Sequence, residues 1–162
     1  MKQKATKKLS RIKIHPQDLN HEQPLARFMI SLFNLFENDL MASLSKENII
    51  DVTRSDFNVL RYVDPSGSTV SQLAQYAGVS KQAISKQVDS LIRRGYLRKM
   101  SDAIDGRQVN IVFTRKGETL IGSSINIIAK IEARFERKLG STAYRRLKSD
   151  LSSLMGLYSK ID

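Results

Sequence analysis

The sequence predicts a mainly α-helical protein with a small β-hairpin wing. Three observations lead to this fold class: two capped helical segments meet at Gly78, two strand-like runs follow them, and apolar residues at helical spacing extend on either side. We therefore expect a winged helix-turn-helix domain over residues 53–114, flanked by N-terminal and C-terminal dimerisation helices. Residues 21–162 are expected to form a single unit.

The N-terminal part is predicted to be a basic arm followed by a helix. Residues 1–20 are expected to be flexible, since the first 14 residues carry six basic side chains and no acidic one. A helix is expected over residues 21–44, because apolar residues recur there at helical spacing. These are Leu25, Phe28, Met29, Leu32, Phe36 and Leu40.

The helix-turn-helix is indicated by its caps and its turn. Thr53 opens the first helix of the domain in a capping-box-like arrangement, with Asp56 in the position usual for Glu. Thr69 and Gln72 form a second capping box, and Gly78 supplies the permissive backbone of a turn. Two helices joined by a tight glycine turn make a helix-turn-helix.

The helix after this turn is the expected recognition helix. Ser80 can cap its start, and Gly95 sits where a left-handed C-terminal residue is expected. Its inward face is predicted from positions i, i+4, i+7 and i+8, which are Ile84, Val88, Leu91 and Ile92.

A hairpin and two long helices are predicted to follow. Residues 96–100 and 109–113 have strand-like sequences separated by a polar loop. Apolar stripes predict helices over 115–138 and 142–160. Together with the first helix, these carry more apolar face than one small winged domain can cover, so we expect a second copy of the chain to bury it.

Charge and composition narrow the partners and the location. The 162-residue chain carries 27 Lys and Arg against 16 Asp and Glu, a net charge of +11, which points to an anionic polymer or an acidic membrane surface. No stretch approaches the ~20 apolar residues of a membrane span, so no membrane is expected. Cys is absent, and the cytoplasm is the expected location.

Neither catalysis nor metal binding is expected. His15 and His21 are the only histidines, and without Cys the usual structural-zinc patterns cannot be formed. No nucleophile with its base, phosphate-binding glycine loop or close acidic pair is placed on a fold that would present it. We therefore predict no enzyme activity, no cofactor and no metal.

Four short segments stand in a recognisable order. They are the helix-turn-helix core 73–85, the recognition-helix exit 91–97, the wing motif Asp105-Gly106-Arg107 and the helix start 114–117. In this order and spacing they resemble the MarR (multiple antibiotic resistance regulator) family over almost the whole chain from residue 21. One departure is Phe113, where the family usually has Leu, and this leaves the packing role intact.

The resemblance implies an assembly and a mode of action. It implies a triangular homodimer with DNA-binding lobes at two corners, often repressing genes near its own. It also implies release by a small anionic or phenolic ligand, which is frequent in the family. The expected partners are double-stranded DNA, a second copy of the chain and a small-molecule effector.

The recognition helix carries the predicted base-reading side chains. Residues 79–116 contain nine basic side chains against three acidic ones. If the apolar face points inward, then Lys81, Gln82, Ser85 and Lys86 point outward near the helix start, where a recognition helix meets base edges. Gln82 is the strongest candidate, because its amide can pair bidentately with adenine. The alternative is a merely solvated surface.

Other predicted DNA contacts lie outside this helix. Arg107 sits at the hairpin tip, where an extended cation can enter a narrow minor groove, and Asp105 is expected to brace that arginine or the wing backbone. Arg115 and Lys116 open a helix whose dipole disfavours cations, and this suggests phosphate contact.

Four aromatic side chains are candidates for an effector pocket. Phe28, Phe36, Phe57 and Tyr62 come from the two helices that, by resemblance, flank the pocket between the dimer core and the DNA-binding lobe. Their alternative role is hydrophobic core. Phe33 falls off the main stripe of its helix, which leaves dimer interface, pocket wall and exposure open.

The function predicted first is sequence-specific regulation of transcription, by a homodimer that represses from an inverted-repeat operator. The alternative is an architectural or low-specificity nucleic-acid binder, and a third hypothesis is a protein-interaction module. Outward Gln82 and Ser85 favour specificity, because nonspecific binding needs only charge against phosphate.

Overall fold

A computed structural model describes residues 23–49, 51–101 and 109–158. The predicted basic arm and the tip of the hairpin, with Asp105 and Arg107, lie outside these residues. The chain divides into two compact units, Met1–Asn38 and Asp39–Asp162. The first unit is described from residue 23, and all the described parts of the winged domain belong to the second.

The described residues form six helices and two strands. In chain order they are α1 (Leu25–Lys46), α2 (Arg54–Leu60), α3 (Val70–Ala77), α4 (Lys81–Arg93), β1 (Leu97–Ser101), β2 (Val109–Phe113), α5 (Arg115–Leu139) and α6 (Ser141–Tyr158).

These boundaries confirm the predicted fold class, which is mainly α with a small β-hairpin wing. The helices expected over 115–138 and 142–160 are α5 and α6, and their ends differ from the prediction by at most two residues. The agreement arises because helix ends are set by nearby residues, as the starts of α3 and α4 show. Thr69 and Gln72 form the expected capping box of α3, and the Ser80 hydroxyl accepts the Ala83 N–H at the start of α4.

The turn between α3 and α4 requires its glycine. Gly78 has a φ of 64°, in the left-handed region that glycine adopts without steric cost. Its N–H and that of Val79 both donate to the Ala74 carbonyl, so the last turn of α3 is satisfied. The chain therefore leaves α3 directly into the cap of α4.

The wing is an antiparallel pair with one addition that the sequence did not predict. Leu97 lies opposite Phe113, and Ser101 lies opposite Val109. On the other edge of β2, Ser68 and Ile111 exchange two backbone hydrogen bonds of 3.0 and 2.8 Å. The segment before α3 is thus tied to the wing by a single bridge.

The part of the core that surrounds the recognition helix lies between α2, α3, α4 and the wing. Here α4 packs against α2, α3 and β1. The predicted inward face of α4 is confirmed at Ile84, Val88 and Leu91, which are fully buried. Ile92 is only half-buried, so its assignment to the buried face was partly wrong.

The outer helices keep much of their apolar surface exposed in the single chain. Of the predicted α1 stripe, Leu25, Met29 and Leu32 are exposed, and burial begins at Leu40. No residue of α6 is buried in its described part. Scattered apolar residues on a surface are ordinary. Most helical stability in proteins comes from packing an apolar face, however, and in the single chain α6 buries little of its apolar face.

The start of α5 makes a close approach to the end of the recognition helix. The backbone N–H of Thr114 donates to the Tyr96 carbonyl at 3.0 Å, and its hydroxyl accepts the Gly117 N–H at 3.1 Å. A Cβ on Gly117 would overlap the Tyr96 carbonyl oxygen and lie 3.0 Å from Phe113 Cδ1. The backbone oxygen cannot move aside, so this position admits only glycine.

This close approach predicts opposite effects of alanine at two glycines of α5. Gly117→Ala should lower the free energy of unfolding by about 1–3 kcal/mol, because the new methyl overpacks the contact. Gly122→Ala should raise it by about 0.5–1 kcal/mol, since that glycine has open space around its Cα and lies within the helix. Urea denaturation at one fixed protein concentration measures both. Equal effects of the two substitutions would contradict the close approach.

Candidate nucleic-acid interface

The recognition helix presents a polar face opposite its buried one. Lys81, Gln82 and Lys86 are exposed in the first two turns of α4, and Ser85 is half-buried between them. The structure therefore brings these four predicted residues together on the N-terminal half of the helix. Their donors and acceptors can reach a ligand without disturbing the core.

The wing is joined to the recognition helix at the protein surface. Lys99 on β1 and Asp89 on α4 form an ion pair of 3.5 Å. Both side chains are more than half exposed, so the pair contributes little to stability. Of the predicted wing residues, Arg107 and Asp105 lie outside the described part of the chain.

The two basic residues that open α5 differ in their surroundings. Arg115 is exposed at the helix start. The Lys116 ammonium donates to Asp51 Oδ2 and to the Arg94 carbonyl, both at 3.0 Å, and lies 4.1 Å from the centre of the Tyr96 ring. The two adjacent residues thus differ in their contacts, since Lys116 has three partners within the protein and Arg115 is exposed.

Lys116 is one member of a cluster that we call the α4–α5 junction, formed by Asp51, Asp56, Arg94, Tyr96 and Lys116. Asp51 lies in the segment before α2, and its carboxylate accepts hydrogen bonds from the Tyr96 hydroxyl and from Lys116. Its backbone carbonyl accepts from Arg94 Nη1 at 2.5 Å. One residue therefore contacts both the exit of α4 and the start of α5.

The most buried ion pair of the junction is bidentate. Arg94 donates from Nη2 to Asp56 Oδ1 at 2.5 Å and from Nη1 to Oδ2 at 3.0 Å. The Asp56 side chain is 7% exposed and that of Arg94 is 26% exposed. Asp56 also accepts the N–H and hydroxyl of Thr53, at 2.7 and 2.8 Å, as the predicted capping box requires. The carboxylate thus caps α2 and anchors the exit of α4.

The electrostatics of the junction follow from these contacts. Burial alone would raise the pKa of Asp56, but the hydrogen bonds from Arg94 and Thr53 outweigh it and lower that pKa below its usual value. The hydrogen bond from Tyr96 lowers the pKa of Asp51, and the hydrogen bond to Asp51 raises that of Lys116. Burial raises the pKa of Tyr96, so its hydroxyl stays protonated and donates.

Sequence reasoning missed most of this junction. A cation such as Arg94 in the last turn of a helix suits the helix dipole whatever its partner is, and neither Asp51 nor Tyr96 belongs to a sequence motif that indicates a site. The partners of Arg94 and Lys116 are 38 and 65 residues distant along the chain. The available signal was Asp56, a carboxylate in the predicted capping box that would need a second partner when buried.

The predicted effector residues are divided between the two units of the chain. Phe57 is buried in the core of the second unit, while Tyr62 is half-buried and lies 6.2 Å from Tyr76 between ring centres. These two tyrosines line a cleft of about 590 Å³ together with residues 61–68 and Gln72. Phe28 and Phe36 are half-buried on the part of α1 that belongs to the first unit.

A second cleft has a more basic lining. It occupies about 530 Å³ between the second half of α1 and α5, over the apolar side chains of Ile127 and Ile131. Its other lining residues are Ser43, Ala133, the four cations Lys46, Lys130, Arg134 and Arg137, and the two acidic residues Asp39 and Glu47. Arg134 pairs with Asp39.

The described residues contain neither a cluster of metal ligands nor a membrane span. Within them, no group of three or more His, Asp or Glu side chains is arranged to hold a metal ion. No described helix combines the length and the apolar character needed to cross a bilayer.

Comparison with known sequences identifies the winged segment. The sequence profile of the MarR family matches residues 50–108. The winged segment is therefore similar to the MarR family. An uncharacterized HTH-type transcriptional regulator of Bacillus subtilis, YhbI, is 26% identical over 139 residues, which cover 81% of this chain and 90% of that protein.

Solved structures show the same MarR-type fold. The transcriptional repressor CouR bound to a 23-mer DNA duplex is similar with a TM-score of 0.67 and 19% identity, over 85% of this chain and 99% of that one. A MarR family protein of Mycobacterium tuberculosis in complex with p-aminosalicylic acid has a TM-score of 0.61 and 22% identity, over 82% and 98% of the two chains. The likeness therefore extends beyond the segment that the family profile matches.

The buried ion pair predicts a pH-dependent loss of stability. Asp56→Asn should lower the free energy of unfolding by about 3 kcal/mol near neutral pH, because it leaves the Arg94 guanidinium without its counter-charge. The Asp56 pKa is lower in the folded than in the unfolded chain, so the stabilisation is complete above the unfolded value of about 3.9 and is lost as pH falls through the folded value. The gap between wild type and variant should therefore close below about pH 4.

The matched control for this experiment is Asp150→Asn. Asp150 forms an exposed ion pair of 3.6 Å with Arg146 one helical turn away, and its loss should change stability by less than about 0.5 kcal/mol. Denaturant unfolding of the three proteins across the pH range makes the comparison. If Asp56→Asn behaved like Asp150→Asn, the buried pair would not have the role assigned to it.

Proposed function

We propose that the protein is a homodimeric, sequence-specific DNA-binding regulator of transcription, and that it represses by occupying an inverted-repeat operator. The observation that carries this proposal is the polar face of α4, where exposed Lys81, Gln82 and Lys86 lie opposite a fully buried apolar face. In a helix-turn-helix, the start of this helix enters the major groove. The DNA-bound CouR structure supports the same use of the fold.

The four polar residues of α4 divide into base readers and backbone contacts. Gln82 can pair bidentately with adenine, and Ser85 can bond to either kind of partner. Lys81 and Lys86 can reach guanine or phosphate. Arg115 at the start of α5 is proposed as a phosphate contact, and Arg107 keeps its predicted role in the minor groove, with Asp105 bracing it.

A homodimer is supported by the apolar surface that the single chain leaves exposed. On α6, Leu147 and Leu154 are exposed seven residues apart, on one face of the helix. On the first part of α1, Leu25, Met29 and Phe33 are exposed as well. Exposed apolar surface of this extent marks an interface in soluble proteins, and a two-fold dimer matches an inverted repeat.

A small-molecule effector is proposed as the signal that releases DNA. This part is supported by the relative of known structure in complex with p-aminosalicylic acid. We also propose that the protein acts in the cytoplasm, where its DNA target lies. The alternative function, an architectural or low-specificity binder, needs only the positive charge and predicts no base preference.

The experiment that tests the proposal begins with selection of duplexes from the source genome by the wild-type protein. Gln82→Ala should then relax discrimination at one or two positions of the selected duplex, at a cost of about 1–3 kcal/mol on that duplex and much less on scrambled DNA. The reason is that the amide contacts a base edge rather than phosphate. Equilibrium binding at one fixed salt concentration, with single-base variants of the duplex, gives the result.

Gln75→Ala is the matched control, because Gln75 is an exposed glutamine on the neighbouring helix α3. It should leave every base preference unchanged. Circular dichroism should show both variants folded. Unchanged base preferences in Gln82→Ala would favour the low-specificity alternative.

Dimerisation gives a separate prediction. Replacing Leu147 and Leu154 together by Glu should convert the wild-type dimer to a monomer at micromolar concentration, because four charges would enter the two-fold interface. Sedimentation velocity measures the state. Ser71→Glu adds an acid to the exposed start of α3 and should leave the dimer intact. A wild-type protein that sediments only as a monomer would contradict this part of the proposal.

A further inference from the structure

The Asp51 side chain holds donors from two different elements. It accepts one hydrogen bond from Tyr96, at the exit of the recognition helix, and one from Lys116, in the first turn of α5. Its carbonyl accepts from Arg94, the residue that follows α4. A residue before α2 thus fixes the end of α4 against the beginning of α5.

Lys116 is held in this position by three contacts. Its ammonium donates to Asp51 and to the Arg94 carbonyl, and it lies over the Tyr96 ring. If it turned outward to a phosphate, the Asp51 carboxylate would lose its cation and the Arg94 carbonyl its donor. The contacts in the protein therefore compete with the contact to DNA that the sequence suggested.

We propose that Asp51 and Lys116 are positioning residues for DNA recognition, which set the angle between α4 and α5. This rests on the proposed function as a dimeric DNA-binding protein. In such a dimer, α5 belongs to the dimerisation helices, so the angle at the junction determines how far apart the two recognition helices lie. The junction thereby selects inverted repeats of one half-site spacing.

A small change in the angle at the junction causes a large displacement of the base-reading end of α4. α4 has 13 residues and a length of about 20 Å, with the junction at its C-terminal end and Gln82 at the other. A rotation of about 10° at the junction would move the base-reading end by about 3.5 Å, which is about one base-pair step. A small loosening of the junction is therefore enough to blur the preferred spacing.

The test compares spacing variants of one duplex. The duplex selected by the wild-type protein is used with one base pair inserted or removed between its half-sites, and a scrambled duplex reports nonspecific binding. The variants are Asp51→Asn and Lys116→Met, and their matched controls are Asp150→Asn and Lys138→Met, both at exposed positions. All affinities are measured at one salt concentration, and the salt dependence is measured separately.

We expect the wild type and both controls to prefer the original spacing. In Asp51→Asn and Lys116→Met the ratio between the original and the shifted duplex should fall by about tenfold, while binding to scrambled DNA stays unchanged. In the double variant this ratio should be no lower than in either single variant, because both substitutions break the same contact. Sedimentation should show dimers throughout.

Other results would overturn the inference. If Lys116 contacts phosphate, Lys116→Met should weaken binding to all duplexes alike and reduce the salt slope by about 1.8, since the dimer loses two contacts of about 0.9 each, and Asp51→Asn should have no such effect. An unchanged spacing profile in both variants would also overturn it. If either variant is unfolded, Tyr96→Phe replaces it, because this substitution removes one hydroxyl from the same contact and keeps the buried ring. It must then lower the ratio of the affinities for the original and the shifted duplex.

The wild-type profile separates this inference from the proposed function. A wild type that binds every duplex equally would refute specific recognition, and the junction's role with it. A wild type with a sharp spacing preference that the variants retain would refute the junction's role alone.

Discussion

The carbonyl oxygen of Tyr96 lies where the chain leaves the recognition helix and where α5 packs against that exit. It accepts the N–H of Thr114, and Gly117 lies against it without a side chain. Because a backbone oxygen cannot rotate away, the two segments meet at a fixed short distance. The orientation of the polar face of α4 depends on this contact and on the ion pairs around it, since the wing begins at this turn and the start of α5 packs against it.

The basic residues of the winged domain fall into two groups that the net charge does not distinguish. Arg94 and Lys116 are engaged by Asp56 and Asp51, so they hold helices together. Lys81 and Lys86 lie exposed on α4 and remain available to a polyanion. The Arg94–Asp56 pair is partly desolvated, so that losing one partner is costly, whereas the Lys116–Asp51 pair is about half exposed. Lys81 and Lys86 lie in solvent, where salt screens any ionic contact.

Much of the fold could be predicted from the sequence because it is encoded locally. Capping residues such as Thr69 and Ser80, and glycines such as Gly78, determine helix ends within a few residues of themselves. The exposed face of α4 followed from apolar periodicity in the same way. The Ser68 bridge and the contacts of Asp51 could not be predicted, because they join residues 43 to 65 positions apart whose pairing depends on how the helices pack. A charged residue alone in a sequence does not reveal whether its partner is a carboxylate or a phosphate.

Sequence-specific regulation requires the protein to distinguish one DNA sequence from others. The most direct measurement is the ratio of its affinities for a duplex selected from genomic fragments and for a scrambled duplex of equal length, taken at several salt concentrations. Recognition through base edges predicts a ratio of about 10³ or more, which persists as salt weakens both complexes. A ratio near one at every salt concentration would contradict sequence-specific recognition, because it would leave phosphate charge as the only basis of binding.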